Sequence, residues 1–179
     1  MIAGFVGNIG SGKTLSMVKK AYEEFLKGKT IYSNIHLNFD YIPYTIDDLE
    51  SWAKGEKILS NIVLLMDEAH IYLDSRSSMR KRNKFVTYLM LQTRKLGCDV
   101  YFTTQFFDQI DKRLRNLTTA IVECYTKTTT VPFNSSEKIV KTLNIVHLRK
   151  TGGIVTRKYT FQSNNIFKLY NTLEIVQSD

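Results

Sequence analysis

Apolar runs and stretches of helical spacing alternate along the first two thirds of the chain. Residues 2–6 are apolar or small, and 61–66 contain an unbroken apolar run of the kind that a parallel strand covered on both faces requires. Residues 15–27 carry apolar side chains at helical spacing, which predicts a helix soon after the first strand. The same reasoning predicts further strands at 29–35 and 98–105, and helices at about 46–52, 84–96 and 106–114.

The pattern changes to a period of two from Thr118 onwards and becomes rich in β-branched residues. It predicts strands at about 118–130, 142–149 and 154–161, a Gly152-Gly153 hairpin turn, and a short strand or edge segment at 166–172. Alternating strands and helices followed by antiparallel strands predict an α/β fold with a mostly parallel sheet and a small antiparallel β addition at the C-terminal end. A length of 179 residues suits one domain, which we expect to comprise a core of about 1–130 and a β-rich addition of about 131–179.

A glycine-rich stretch lies between the first predicted strand and the first predicted helix. It fits the phosphate-loop pattern of a glycine, four free positions and Gly-Lys-Thr. Its backbone N–H groups and the start of the helix would bind the phosphates of ATP. Lys13 would reach the β- and γ-phosphates, and the Thr14 hydroxyl would bind magnesium. The nucleotide-binding residues predicted here are Gly7, Asn8, Ile9, Gly10, Ser11, Gly12, Lys13 and Thr14.

Two acidic residues, Asp67 and Glu68, follow the apolar run that ends at Met66. A nucleotide hydrolase places its magnesium-orienting carboxylate at the end of such a strand, and this would be Asp67. Glu68 would act as the general base on the attacking water. The predicted metal-binding residues are therefore Thr14 and Asp67.

Gln105 ends the strand predicted at 98–105. If this strand lies between those of the phosphate loop and Asp67, the glutamine amide can bond both a phosphate oxygen and the lytic water. Thr104 could share that contact. Taken alone, a glutamine at a strand end is more often a surface residue.

The charge and cysteine content indicate the partners and the compartment. A net charge of +8 and a pI near 9.4 favour a polyanionic partner. The densest basic segment holds Arg76, Arg80, Lys81, Arg82 and Lys84, which fits either a loop that grips DNA phosphates or a solvated surface loop. The two cysteines lack metal-ligand spacing and fall in apolar segments, as buried free thiols in a reducing compartment do. No apolar run is long enough to cross a bilayer, and we expect a soluble protein.

These features together resemble the FtsK/HerA superfamily of P-loop ATPases, and within it the zonular-occludens-toxin-like and viral genome-packaging ATPases. The resemblance rests on the phosphate loop, on Asp-Glu-Ala-His at 67–70, and on Arg-Lys-Leu-Gly at 94–97 leading to Thr-Thr-Gln at 103–105. Ser-Asn at 33–34 and Leu-Tyr-Asn-Thr at 169–172 fit the same group. The resemblance covers about 1–125 well.

The resemblance implies a RecA-like core with the Gln105 strand between the Gly7 and Asp67 strands. It also implies a homo-oligomeric ring, usually a hexamer, that moves double-stranded DNA through its centre by hydrolysing ATP. In such rings a neighbouring subunit supplies an arginine that neutralises transition-state charge. Arg94 is the first candidate for this catalytic role.

Alternatives to Arg94 are Arg76 and Arg80. Members of the toxin-like group commonly carry a membrane anchor after the ATPase domain, and we expect none here. We therefore expect packaging in the host cytoplasm or at the virion assembly site, with a portal, capsid or membrane protein as a further partner. A filamentous-phage-type assembly ATPase remains an alternative.

Two other classes of function remain. A small nucleotide or nucleoside kinase would fit the loop and the chain length, although a water-activating Glu68 is unfavourable in an enzyme that must exclude water. A passive DNA-binding protein with a degenerate phosphate loop is the third class. His70 is expected to pack or to support its neighbours rather than to bind a metal.

Overall fold

The computed structural model describes residues 1–54, 59–70, 97–132, 138–150 and 155–171. One eight-stranded sheet spans these ranges, with the strand order β3-β2-β4-β5-β1-β6-β7-β8. The strands are β1 (Ile2–Val6), β2 (Thr30–Ser33), β3 (Ile42–Pro43), β4 (Ile62–Met66), β5 (Asp99–Thr104), β6 (Ala120–Pro132), β7 (Lys138–Lys150) and β8 (Val155–Gln162). The α-helices are α1 (Lys13–Phe25), α2 (Ile46–Ala53) and α3 (Lys112–Leu117), and short 3-10 helices span Phe107–Gln109 and Phe167–Leu169.

Six strands, from β3 to β6 in the sheet order, run parallel, and β7 and β8 continue the sheet by antiparallel pairing. The α/β fold with a mostly parallel sheet is therefore confirmed. The expected position of the strand before Gln105 is also confirmed, because β5 pairs with β1 on one side and with β4 on the other. Parallel order requires crossovers, so residues far apart in sequence end at one edge of the sheet.

Both faces of the parallel part of the sheet are covered, as the continuous apolar runs predict. On one face α1 packs through Leu15, Met17, Val18 and Ala21, all of them almost fully buried. On the other face Leu49 and Trp52 of α2 and Leu114 of α3 join the second part of the core. Helices on the two faces leave the carboxyl edge of the parallel strands open, where the polar strand ends meet.

Several boundaries differ from the sequence predictions. Helix α1 begins at Lys13 rather than at residue 15, because the phosphate loop leads straight into its first turn. The two-residue strand β3 was not predicted, since it is too short to show a period and contains Pro43. The helix predicted at 106–114 is instead a 3-10 turn, Phe107–Gln109, which ends at Ile110 in extended backbone, followed by α3, which runs on to Leu117 and so includes Arg115.

The later strands and the end segment also differ in detail. Strand β7 begins at Lys138, four residues before the predicted start, as long antiparallel pairing with β6 extends it. Of the short strand or edge segment expected at 166–172, the described residues form a 3-10 turn followed by a single antiparallel bridge between Leu37 and Tyr170, which is an edge contact and not a strand. The helix predicted at 84–96 and the turn at Gly152-Gly153 lie outside the described residues.

Candidate nucleotide site

The phosphate loop joins the end of β1 to the start of α1. Gly12 has φ +81° and is the residue that precedes the helix, a conformation that glycine adopts without strain. Gly7 has φ +150°, and a Cβ there would lie 2.7 Å from the Cys124 carbonyl oxygen of β6. The loop therefore passes so close to the neighbouring strand that only glycine fits at its first position.

Lys13 and Thr14 open helix α1. The Lys13 ammonium donates a hydrogen bond to the Asn8 carbonyl at 3.2 Å, so its charge lies across the mouth of the loop. The Thr14 hydroxyl donates to Oδ1 of Asp67 at 2.9 Å. This bond joins the first turn of α1 to the residue after β4, a strand that lies two positions from β1 in the sheet.

Asp67 is held by side chains from three elements. Its Oδ1 also accepts a hydrogen bond from the Thr103 hydroxyl of β5 at 2.7 Å. Asn34, just after β2, bonds both backbone groups of Asp67, at 2.8 and 3.0 Å. Burial raises the pKa of Asp67 above its ordinary value, while the hydroxyls of Thr103 and Thr14 oppose that rise by stabilising the carboxylate.

Glu68 has a left-handed backbone, with φ +51°. Its N–H donates to the Thr103 hydroxyl at 2.8 Å, and the N–H of Ala69 donates to the Thr103 carbonyl at 2.9 Å. Its Oε2 lies 3.2 Å from Nδ1 of His70, which accords with the expected supporting position of that histidine. A non-glycine residue in this conformation is strained and needs such contacts to hold it.

Two cavities adjoin the phosphate loop. The first has a volume of about 280 Å³, and its lining includes Lys13, Thr14, Glu68, Phe167 and Tyr170. The second has a volume of about 620 Å³ and lies between the phosphate loop, the turn after β5 and strand β6. The first cavity brings together Lys13 and Thr14 of the phosphate loop and Glu68, the predicted base, whereas Asp67 is not among its lining residues.

Gln105 lines the second cavity rather than the first, beside phosphate-loop residues Gly7 to Ser11. The strand order that its predicted role required is present, and the role itself stays a prediction. The Thr104 hydroxyl donates to the Phe106 carbonyl at 3.2 Å and so stabilises the local turn. Arg94, Arg76 and Arg80 lie outside the described residues.

Magnesium would find suitable oxygen ligands at Thr14 and Asp67. A hydroxyl and a buried carboxylate 2.9 Å apart are the hard donors that this ion prefers. The described residues contain no cluster of three or more His, Cys, Asp or Glu, so water and phosphate oxygens would complete the coordination. Both cysteines, Cys98 and Cys124, are buried and free, as predicted.

The sequence reasoning missed two groups of site residues. Thr103 and Asn34 hold Asp67 and Glu68 in place, and Phe167 and Tyr170 close the first cavity. All except Phe167 lie in short pieces that contributed to the family resemblance, but the sequence carried no signal of what each side chain touches. Their roles depend on contacts between segments that are far apart in the chain.

The phosphate loop follows β1, the acidic pair follows β4, and β5 lies between these two strands. This arrangement defines a P-loop nucleoside triphosphatase fold of the RecA-like class. The family model described as zonular occludens toxin (Zot) matches residues 1–174. The chain belongs to this family.

Several solved structures share this fold. The N-terminal domain of zonular occludens toxin from Neisseria meningitidis is 19% identical, with a TM-score of 0.63 over 94% of this chain and 97% of that one. The genome packaging NTPase B204 from Sulfolobus turreted icosahedral virus 2, in complex with AMP, is 13% identical, with a TM-score of 0.52 over 87% of this chain and 98% of that one.

A third neighbour is the KaiC-like protein PH0186 from Pyrococcus horikoshii OT3, 13% identical, with a TM-score of 0.51 over 89% of this chain and 84% of that one. At these identities the likeness shows the fold alone. No curated protein matches the chain. Among the residues that the structure describes, no helix has the length and apolar character needed to cross a membrane.

Proposed function

We propose that the chain is a magnesium-dependent ATPase that moves the double-stranded DNA of a virus or mobile element, acting as a homo-oligomeric ring. One observation carries the ATPase part. The hydroxyls of Thr14 and Thr103 both donate to the same oxygen of Asp67, at 2.9 and 2.7 Å, with Glu68 beside it. This arrangement joins the phosphate loop to a carboxylate pair.

Each group of the site has its own role in the proposed hydrolysis of ATP. Backbone N–H groups of the phosphate loop and the ammonium of Lys13 bind the phosphates. Thr14 and Asp67 would hold magnesium, which would supply charge neutralisation for the phosphates. Glu68 takes a proton from the attacking water at its carboxylate, and Gln105 orients that water or a phosphate oxygen.

The motor part rests on the relatives and on charge. B204 is described as a genome packaging NTPase and was solved with AMP bound. The net charge of +8 favours a polyanion such as DNA. Among the described residues that line the two cavities there is no arginine, which fits a site completed by Arg94, Arg76 or Arg80 of a neighbouring subunit.

The Zot family match also favours the second candidate, a filamentous-phage-type assembly ATPase that drives DNA towards a membrane partner. Both candidates require the same nucleotide chemistry and differ in the partner. Recovery of the protein with a portal or capsid protein would favour packaging, and recovery with a membrane assembly protein would favour extrusion.

The test is steady-state ATP hydrolysis with and without double-stranded DNA. Lys13→Ala should abolish nucleotide binding or turnover, because the loop loses its phosphate-binding charge. Glu68→Gln should bind ATP and fail to hydrolyse it, because the base is lost while the metal ligands remain. Glu23→Gln is the matched control, since Glu23 lies on the outer face of α1 with a side chain that is 43% exposed.

Three results would contradict the proposal. Wild-type turnover in Lys13→Ala would remove the phosphate loop from the reaction. Full turnover in Glu68→Gln would remove Glu68 from the role of base. Phosphoryl transfer to an added nucleoside with negligible hydrolysis would identify a kinase.

A further inference from the structure

The last described segment, Ser163–Asn171, returns from the end of β8 to the region beyond β2. Its position is fixed by the bridge between Tyr170 and Leu37 and by two hydrogen bonds from Asn38. The Asn38 N–H donates to the Leu169 carbonyl at 2.8 Å, and its side-chain amide donates to the Lys168 carbonyl at 2.9 Å. This returning segment is therefore anchored at its far end to the stretch after β2, which also contains Asn34.

The returning segment contributes two aromatic side chains to the 280 Å³ cavity, Phe167 and Tyr170. Tyr170 is buried, and its pKa is raised to about 12 by burial and by the negative charge of Asp67, so its hydroxyl stays neutral. Phe167 is 44% exposed. Its backbone is held by the 3-10 turn, where its N–H donates to the Ser163 carbonyl at 3.1 Å. An ordered turn thus presents an aromatic ring to a cavity that also contains Lys13 and Thr14.

A phosphate loop binds only one end of a nucleoside triphosphate. The ribose and the base extend beyond the loop, and the flat face of a base stacks on aromatic side chains. The cavity that holds Lys13, Thr14 and Glu68 is the one to which the returning segment adds Phe167. We propose that Phe167 is the stacking platform for the nucleobase and that Tyr170 forms the wall beside it. This inference rests on the proposed nucleotide binding.

A second exposed phenylalanine, Phe106, is the alternative platform. It is 56% exposed and lines the 620 Å³ cavity on the other side of the phosphate loop. That cavity is also lined by Asp108 and Glu123, and none of its described lining residues is a lysine or arginine. Asp108 is paired with Arg115 at 3.3 Å, which leaves the charge of Glu123 to repel a polyanionic ligand. The cavity of Phe167 contains one carboxylate, Glu68, and the ammonium of Lys13 that offsets it, so its charge favours the polyanion more.

The test measures binding of magnesium-ATP and of magnesium with inorganic triphosphate, by calorimetric titration. Inorganic triphosphate has the phosphates of ATP without the base. Phe167→Ala should weaken ATP binding about tenfold, because a stacked base loses its partner. Binding of inorganic triphosphate should stay within about twofold of the wild type, since its contacts are with the loop. Phe167→Trp should restore ATP affinity, and Phe106→Ala should change neither probe.

Each other outcome overturns the assignment. Equal weakening of both probes by Phe167→Ala would mean that the segment supports the phosphate site rather than the base. Unchanged ATP affinity in Phe167→Ala would show that the nucleobase does not stack on Phe167. Loss of ATP affinity without loss of triphosphate affinity in Phe106→Ala would show the same. If the wild type binds neither probe, the proposed nucleotide function fails as well, which separates that failure from a wrong base platform.

Discussion

Thr103 is the residue on which the geometry of the acidic pair depends. It is fully buried; its hydroxyl donates to Asp67 and accepts from the N–H of Glu68, and its carbonyl accepts from Ala69. One side chain therefore positions the metal-binding carboxylate and the strained backbone of the proposed base. The residue is a positioning residue, since it acts through its neighbours.

Thr103→Val should lower kcat by about tenfold or more and change KM little. Valine has nearly the shape of threonine but leaves the Glu68 N–H without its acceptor, which costs about 1–3 kcal/mol. Thr103→Ser should recover most of the activity because it restores the hydroxyl. The matched control is Thr118→Val, where another buried hydroxyl bonds the Leu114 carbonyl away from the site. An equal loss of kcat in both valine variants would indicate a general effect of removing a buried hydroxyl.

At the scale of elements, the site depends on the close approach of β1 and β5. Gly4 lies opposite Phe102 in this strand pair, and a Cβ at Gly4 would lie 2.7 Å from the tip of the Phe102 ring. The missing side chain makes room for a ring that is fully buried in the core. This contact lies in the strand pair that joins the strand of the phosphate loop to the strand of Thr103.

Gly4→Ala should reduce the free energy of unfolding by about 1–3 kcal/mol, because an overpacked core must shift its side chains. Phe102→Leu should also destabilise, since it leaves space in the core. The double variant should lose less stability than the sum of the two, as each change relieves the other. Denaturant unfolding measures all three; strictly additive losses would contradict the proposed contact.

At the scale of the whole molecule, the carboxyl edge of the parallel sheet carries the site and the opposite edge carries an ion-pair cluster. Glu24 at the end of α1 pairs with Lys20, Lys27 and Lys29, and Lys29 also bonds Asp99 at 2.5 Å. Burial would raise the pKa of Glu24, but its bonds with these lysines lower it to about 2. The cluster joins α1 to β5 through Lys29, just before β2.

The lowered pKa predicts how stability depends on pH. A carboxyl whose pKa is depressed on folding stabilises the protein above its ordinary pKa of 4.5, and this contribution is lost as the pH falls towards 2. Over that range the wild type should lose up to about 3 kcal/mol through Glu24. Glu24→Gln should be less stable than the wild type at pH 7 and should lose less stability than the wild type on acidification. Glu23 is more exposed than Glu24, so Glu23→Gln should resemble the wild type. Parallel curves of unfolding free energy against pH for Glu24→Gln and the wild type would contradict this role.

Local pattern by itself determined much of this protein. The strands at 2–6 and 61–66 were predicted because burial on both faces requires a continuous apolar run. The helix after the phosphate loop was predicted because its packed face leaves apolar residues at helical spacing. The phosphate loop was recognisable because its glycines, Lys13 and Thr14 act within one continuous turn. The acidic pair at 67–68 was found because it directly follows a buried strand.

Only the tertiary structure decided which residues surround that pair. Thr103 and Asn34 reach Asp67 because parallel strands bring their carboxyl ends to one edge. Phe167 lines the same cavity as Lys13 because the chain returns across the fold. Such contacts join segments whose separation is free to vary, so no sequence period records them. The short strand β3 and the longer β7 were also decided by pairing with a neighbour. The phosphate loop of such a nucleotide site can therefore be recognised in the sequence. The other residues that line the site depend on how distant segments pack.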